Sequence, residues 1–194
     1  MKRRVASLYK RNLSGSDIAK KLGIHLRSVY RILEHQGIKR RSPFEQNRIN
    51  FLKSPLSFKF KKSLTTAERE LLIAGVMLYY GEGAKTRQTV DLANSDPNIL
   101  KLFLKFLRKI CRVNESKLRF YLYCFSNQNP YNLIKFWCDN LQITRKQFTK
   151  PYVRETNLTL QRTMAYGVLH IRYSDKRLLE KILSLISDIT SSLI

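Results

Sequence analysis

Residues 13–38 constrain the fold most, because their pattern predicts two short helices joined by a tight turn. Ser14 or Ser16 is placed to cap the first helix, since early helical N–H groups lack backbone partners. Ala19 is small enough to let another helix cross nearby. Gly23 follows at the helix end, where the positive φ of a tight turn favours glycine.

The second helix begins near residue 25 and has one apolar side. Its other side carries His25, Arg27, Ser28, Tyr30 and Arg31. A helix that buries one side and shows arginines near its N-terminus suits the major groove of DNA. A helical hairpin with no special role is the alternative. The four-residue spacing of Arg27 and Arg31 favours DNA binding.

The run SGSDIAKKLGIHLRSVYRIL resembles the helix-turn-helix of resolvase and invertase DNA-binding domains and of transposase N-terminal domains. An amphipathic stretch at residues 3–12 would supply a first helix. The resemblance then implies a three-helix DNA-binding head at residues 1–38.

Charge also favours a nucleic acid. The chain has 37 Lys and Arg against 14 Asp and Glu, a formal net charge of +23. Residues 1–65 hold 17 of the basic and 3 of the acidic side chains. Such a surface attracts polyanions through counterion release. A solvated charged surface or an anionic membrane surface would explain the charge less well, and RNA fits the helix-turn-helix less well than double-stranded DNA.

The sequence lacks the signals of a membrane protein, a secreted protein and a cysteine-based zinc site. No apolar run approaches the roughly 20 residues that span a bilayer, and no signal-peptide pattern opens the chain. Cys111, Cys124 and Cys138 form no CxxC pair, which favours free thiols in a reducing compartment over a zinc site. We therefore expect a cytoplasmic protein associated with the nucleoid and not with a membrane.

Residues 39–65 are rich in basic and aromatic side chains, with Pro43 and Pro55. They predict an extended basic linker with a short helix around residues 44–52. Arg40 and Arg41 follow the second helix directly, as in arms that track phosphates or enter the minor groove. A disordered basic spacer is the alternative.

Residues 66–194 predict an α+β domain. Thr65 or Thr66 with Glu68 forms a capping box, and the helix that follows ends between Gly81 and Gly83. Further helices are predicted at residues 97–113, 130–141 and 176–189, and strands at 88–93, 117–125, 152–154 and 165–173. This order suits helices on one face of a mainly antiparallel sheet.

The run IAGVMLYYGEG, residues 73–83, looks like the signature helix of LAGLIDADG homing endonucleases. Gly81 stands in place of the second alanine of that name, and Glu82 in place of the final acid. In that family two such helices pack together through small side chains, and each delivers a carboxylate to a metal ion beside bound DNA. One run per chain implies a homodimer on a palindromic or pseudo-palindromic site.

The resemblance implies roles for several residues. Glu82 would bind Mg²⁺ as the catalytic acid, and Lys85 would be a catalytic or phosphate-neutralising cation. Ala74, Met77 and Gly81 share one helical face and would form the dimer interface. Met77 and Tyr80 depart from the family pattern, and a solvated carboxylate at a helix end is the alternative for Glu82.

The family binds DNA on its sheet. The basic residues in or beside the predicted strands are Arg87, Arg119, Arg154 and Arg172. A register slip of one residue would reverse the face on which each lies, and a solvated polar face would also explain them.

Two functions follow from these patterns. The first is a dimeric, Mg²⁺-dependent DNA endonuclease of the homing type, assisted by the helix-turn-helix. The second is a transcriptional regulator that uses the same fold without cleavage, as in a bacterial family of sporulation regulators.

Overall fold

The computed structural model describes residues 1–86, 88–155 and 164–193. The chain forms two compact units, Met1–Pro55 and Leu56–Ile194. Among the described residues the first unit is helical, and the second combines helices with a four-stranded mixed sheet. The expected α+β class is therefore confirmed at this coarse level.

The first unit contains four helices: α1 (Lys2–Lys10), α2 (Gly15–Leu22), α3 (Leu26–His35) and α4 (Pro43–Lys53). Ser14, not Ser16, caps α2, because its hydroxyl accepts from the Asp17 N–H while the Asp17 carboxylate accepts from the Ser14 N–H. Gly23 ends α2 with a φ of 64°. The buried core of the unit consists of Val5, Leu8, Tyr9, Ile18, Val29 and Leu33.

The segment 39–65 contains the short helix that the sequence predicts around residues 44–52, present here as α4 (Pro43–Lys53). Its first part packs on the first unit, where α4 runs to Lys53, whose ammonium group donates to the Asn12 carbonyl. Its second part lies on the second unit, where the Lys59 N–H donates to the Cys111 carbonyl at 3.0 Å. Nearby apolar side chains explain why this part is ordered, since Phe58, Phe60 and Leu64 pack against that unit's core.

The second unit contains helices α5 (Thr66–Glu82), α6 (Pro97–Lys109), α7 (Pro130–Leu141) and α8 (Lys176–Leu193). Its strands are β1 (Val90–Asn94), β2 (Leu118–Phe125), β3 (Tyr152–Arg154) and β4 (Val168–Tyr173). The strand order is β1-β4-β2-β3. β4 is antiparallel to both β1 and β2, whereas β3 is parallel to β2, so the sheet is mixed.

The helices cover one face of this sheet. Alternate residues of β2 (Leu118, Phe120, Leu122 and Cys124) are buried in the core together with Trp137 of α7. The other residues of β2 lie on the opposite face and are exposed or partly exposed. The alternation of period two thus separates an apolar face from a mixed one.

The three cysteines are free thiols, two of them buried and Cys138 partly buried. Burial raises the pKa of Cys111 and Cys124, which disfavours the reactive thiolate. Over residues 1–86, 88–155 and 164–193, no helix has the length and apolar character to span a membrane.

Candidate nucleic-acid interface

Two of the residues that the sequence predicts to contact DNA lie on the exposed side of α3. Val29 and Leu33 are buried on its inner side, whereas Arg27 and Arg31 are exposed one turn apart on its outer side. His25 is the exposed N-cap residue, and Ser28 is partly buried. Neither the Arg27 nor the Arg31 guanidinium is hydrogen-bonded or ion-paired to another described residue of the chain, so both groups are available to an anion.

Tyr30 and the two arginines of the expected arm have partners within the first unit. The Arg40 guanidinium lies 4.1 Å from the centroid of the Tyr30 ring. Arg41 donates to the carbonyls of Leu13 and Tyr9 and lies 3.9 Å from the centroid of the Tyr9 ring. Arg41 is thus held within the first unit by these contacts, and its predicted contact with phosphates or the minor groove stays a prediction.

In the second unit, the C-terminal end of α5 is joined to β1. The Tyr79 hydroxyl donates to the Ala84 carbonyl at 2.6 Å, and the Ala84 N–H donates to the Asp91 carbonyl at 2.9 Å. Burial raises the pKa of Tyr79 to about 12, so its hydroxyl remains a donor at neutral pH. These bonds place Gly83 beside Leu92, which holds the end of α5 close to the sheet.

Glu82 and Lys85 are both exposed at this end of α5. The Lys85 ammonium donates to the Gly83 carbonyl at 3.2 Å and lies 5.7 Å from the Tyr80 ring centroid. The Glu82 carboxylate has no hydrogen bond or ion pair with another residue in the described ranges. The two side chains therefore project from one short segment without forming a pair with each other.

The sheet face opposite the helices is called the outer face here. The polar and aromatic residues on it are Asp91, Arg119, Tyr121, Tyr123, Phe125, Tyr152, Arg154, His170 and Arg172. The pairing register places them together, because residues opposite each other on neighbouring strands share a face. Three arginines proposed from the sequence therefore lie on this face, and the fourth, Arg87, lies outside the described residues.

The three arginines differ in their surroundings. Arg119 is exposed and donates to the carbonyls of Ser116 and Leu118. Arg154 is exposed, and its guanidinium lies 3.4 Å from the Tyr123 hydroxyl. Arg172 is partly buried and belongs to a charged cluster. Arg119 and Arg154 thus present more of their charge to solvent.

A buried carboxylate holds two cationic or potentially cationic side chains on the outer face. Asp91 Oδ2 accepts from Arg172 Nε at 2.9 Å, and Asp91 Oδ1 lies 2.9 Å from His170 Nδ1. Only 6% of the Asp91 side chain is exposed. The Arg172 guanidinium also lies 4.6 Å from the centroid of the Tyr121 ring. The cluster fixes the orientation of both groups at the centre of the sheet.

Sequence analysis did not propose Asp91 or His170 as site residues. Asp91 lies between the apolar residues Val90 and Leu92 of β1, and an acid in such a position signals a buried polar group that needs a partner. The two partners of Asp91 are His170 and Arg172, which lie 79 and 81 residues further along the chain. Only the pairing of β1 with β4 identifies them.

Between residues 73 and 81 the solvent side of α5 is apolar. Ile73 and Tyr80 are 49% and 48% exposed, and Ala74 and Met77 are partly buried between them. Gly81 is exposed with open space around it. Gly75 differs from these residues, because a Cβ there would collide with the Phe106 ring of α6.

Within the described ranges, no three His, Cys, Asp or Glu residues are grouped to hold a metal ion. Glu82 is nevertheless the type of ligand that Mg²⁺ accepts, since this ion keeps several waters and uses one or two carboxylates.

Comparison with protein-family models, curated proteins and solved structures finds no match for this chain.

Proposed function

We propose that the chain is a sequence-selective DNA-binding protein in which residues 13–38 form a helix-turn-helix and α3 enters the major groove. One observation carries this proposal: α3 buries Val29 and Leu33 while Arg27 and Arg31 are exposed along its opposite side. The formal charge of +23 supplies the electrostatic attraction.

The test begins with selection of a preferred site from a randomised duplex library. Replacing both Arg27 and Arg31 by Ala removes base contacts, each worth roughly 1–3 kcal/mol on the preferred site and less on random DNA. The double change Lys20→Ala and Lys21→Ala is the control, because it removes the same charge from exposed positions of α2. The control should weaken binding to both DNAs alike. An unchanged site preference in the arginine variant would exclude α3 from base recognition.

The second unit is proposed to act as a LAGLIDADG-like domain that dimerises through α5 and binds DNA on its outer face. The exposed apolar side of α5 supports the dimer, since Ile73 and Tyr80 remain about half exposed in the single chain. Arg119 and Arg154 support the DNA contact, because both are exposed on the outer face.

The activity proposed for this dimer is Mg²⁺-dependent DNA cleavage. Glu82 from each copy would hold the metal, which when bound polarises the phosphate and lowers the pKa of a water ligand. Lys85, three residues further along, would neutralise charge on the DNA backbone. The exposed carboxylate at the end of α5 is the observation behind this assignment.

Glu82→Gln tests the cleavage proposal. The variant should lose Mg²⁺-dependent cleavage of the selected site and bind DNA as tightly or more tightly, because a negative charge near phosphates is gone. Glu70→Gln is a matched control, since Glu70 is an exposed acid near the other end of the same helix. Equal cleavage by both variants would show that Glu82 is not the catalytic acid.

The second candidate function is a regulator that binds DNA without cleaving it. Asp91 is joined to the end of α5, because its carbonyl accepts from the Ala84 N–H. Its carboxylate is already paired with Arg172 and His170, which favours this alternative. A regulator would bind the selected site tightly, produce no nicks with Mg²⁺ or Mn²⁺, and keep its affinity in the presence of a chelator.

A further inference from the structure

The outer face is richer in aromatic rings than a solvated polar face requires. Tyr121, Tyr123 and Phe125 alternate along β2 on this side, and all three are partly exposed. Tyr152 of β3 lies directly opposite Tyr123 in the pairing register and is 51% exposed. Four rings thus lie on two neighbouring strands, outside the helix-covered core.

Two of these rings form a stacked pair that reaches the surface. The ring centroids of Tyr123 and Tyr152 are 5.4 Å apart, with 22° between the ring planes. Tyr123 is also packed edge-on against Phe125 at 5.8 Å, which restrains its ring. Tyr152 is therefore the exposed end of an ordered aromatic stack.

One arginine lies beside this stack, and another lies four residues before Tyr123 on the same face of β2. The Arg154 guanidinium lies 3.4 Å from the Tyr123 hydroxyl, and Arg119 is exposed on the same face of β2. Exposed rings beside exposed guanidinium groups match a ligand that carries both flat apolar surfaces and phosphates. The faces of bases in a duplex are covered by neighbouring base pairs, so the grooves offer base edges and phosphates. Only unpaired nucleotides present their ring faces.

We propose that the outer face binds single-stranded nucleic acid, with a base stacked on Tyr152 and continuing the Tyr123–Tyr152 stack. Arg154 and Arg119 neutralise phosphates on either side of that base. This inference rests on the proposed function only in placing nucleic acid on the outer face, and it is independent of α3 and of cleavage.

The test compares two single-stranded probes that have the same length and charge, oligodeoxythymidylate and its abasic counterpart. The full chain should bind the base-containing strand more tightly, because the abasic strand keeps the phosphates and lacks the rings. Tyr152→Leu should reduce affinity for oligodeoxythymidylate by roughly 5- to 150-fold, the range for loss of one base stack. Its affinity for the abasic strand should not change.

Two further variants control for other roles of the tyrosine. Tyr152→Phe keeps the ring and should retain wild-type affinity for oligodeoxythymidylate. Tyr131→Leu removes a tyrosine of similar exposure from α7 and should also bind normally. Circular dichroism of each variant verifies folding.

Several outcomes would overturn the inference. The inference is wrong if the wild-type chain binds oligodeoxythymidylate and the abasic strand equally well. It is also wrong if Tyr152→Leu loses the same affinity for both strands. A change in oligomeric mass for Tyr152→Leu without a change in strand binding would assign the stack to self-association. An unchanged site preference after Arg27→Ala with Arg31→Ala would overturn only the helix-turn-helix proposal. The comparison of oligodeoxythymidylate with the abasic strand does not depend on α3.

Discussion

Replacing Asp91 by Asn tests the role of the charged cluster on the outer face. The change keeps the shape of the side chain but removes the negative charge that faces Arg172 and His170. Both partners then remain beside a neutral amide in a partly buried position. We expect the second unit to lose stability, because two groups lose a charged hydrogen-bond acceptor.

The exposure of the partners sets the size of the effect. Removing one member of a fully buried ion pair costs about 3–5 kcal/mol. The side chains of Arg172 and His170 are 29% and 24% exposed, so hydration by water offsets part of the interaction energy that they lose. We therefore expect Asp91→Asn to lower the free energy of unfolding by about 2 kcal/mol at neutral pH.

The effect should depend on pH. Burial by itself would raise the pKa of the Asp91 carboxyl, but the hydrogen bond and charge of His170 and the charge of Arg172 outweigh it and hold the pKa below its usual value. A carboxyl with a lowered folded-state pKa stabilises the protein above its unfolded-state pKa, and this contribution is lost as the pH falls through the folded-state pKa. The difference between wild type and Asp91→Asn should therefore narrow below about pH 4.

Denaturant unfolding followed by tryptophan fluorescence measures this effect. The chain has one tryptophan, Trp137, and it is fully buried in the second unit, so its emission reports that unit. The double variant Asp91→Asn with Arg172→Gln should recover part of the stability, because the unpaired cation is removed. Strictly additive losses, or a destabilisation of the same size at neutral pH and at about pH 3, would refute the assignment of this stability to the ion pair.

Three further predictions concern packing, anchoring and assembly. Gly75→Ala should destabilise the second unit by about 1–3 kcal/mol in the same fluorescence assay, because its Cβ would collide with the Phe106 ring, whereas Gly81→Ala should not. Arg41→Lys should lower the thermal midpoint of the first unit by circular dichroism, since an ammonium group cannot reproduce the contacts to the Leu13 and Tyr9 carbonyls and to the Tyr9 ring; an unchanged midpoint would contradict this. Gly81→Leu should abolish a dimer formed through α5, and a wild-type mass that stays monomeric at all concentrations, with and without DNA, would exclude that dimer.

The sequence by itself determined the features that depend on neighbouring residues. A serine cap before α2, the glycine at its end and a capping box before α5 act within one helical turn, so short spacings predict them. The structure then selects Ser14 over Ser16 and Thr65 over Thr66. The bounds of α7 (Pro130–Leu141) and β3 (Tyr152–Arg154) agree with those predicted from local signals. The alternation along β2 likewise indicated a strand with two different faces.

The tertiary structure decided which residues come together. Strand order and register placed Arg119, Arg154 and Arg172 on one face, a choice that a one-residue slip would have reversed. The pairing of β1 with β4 brought Asp91 to partners about 80 residues away, and the contacts of Arg41 joined it to the end of α1. These contacts depend on how distant segments pack, and local periodicity contains no information about which distant segment a strand or side chain will meet.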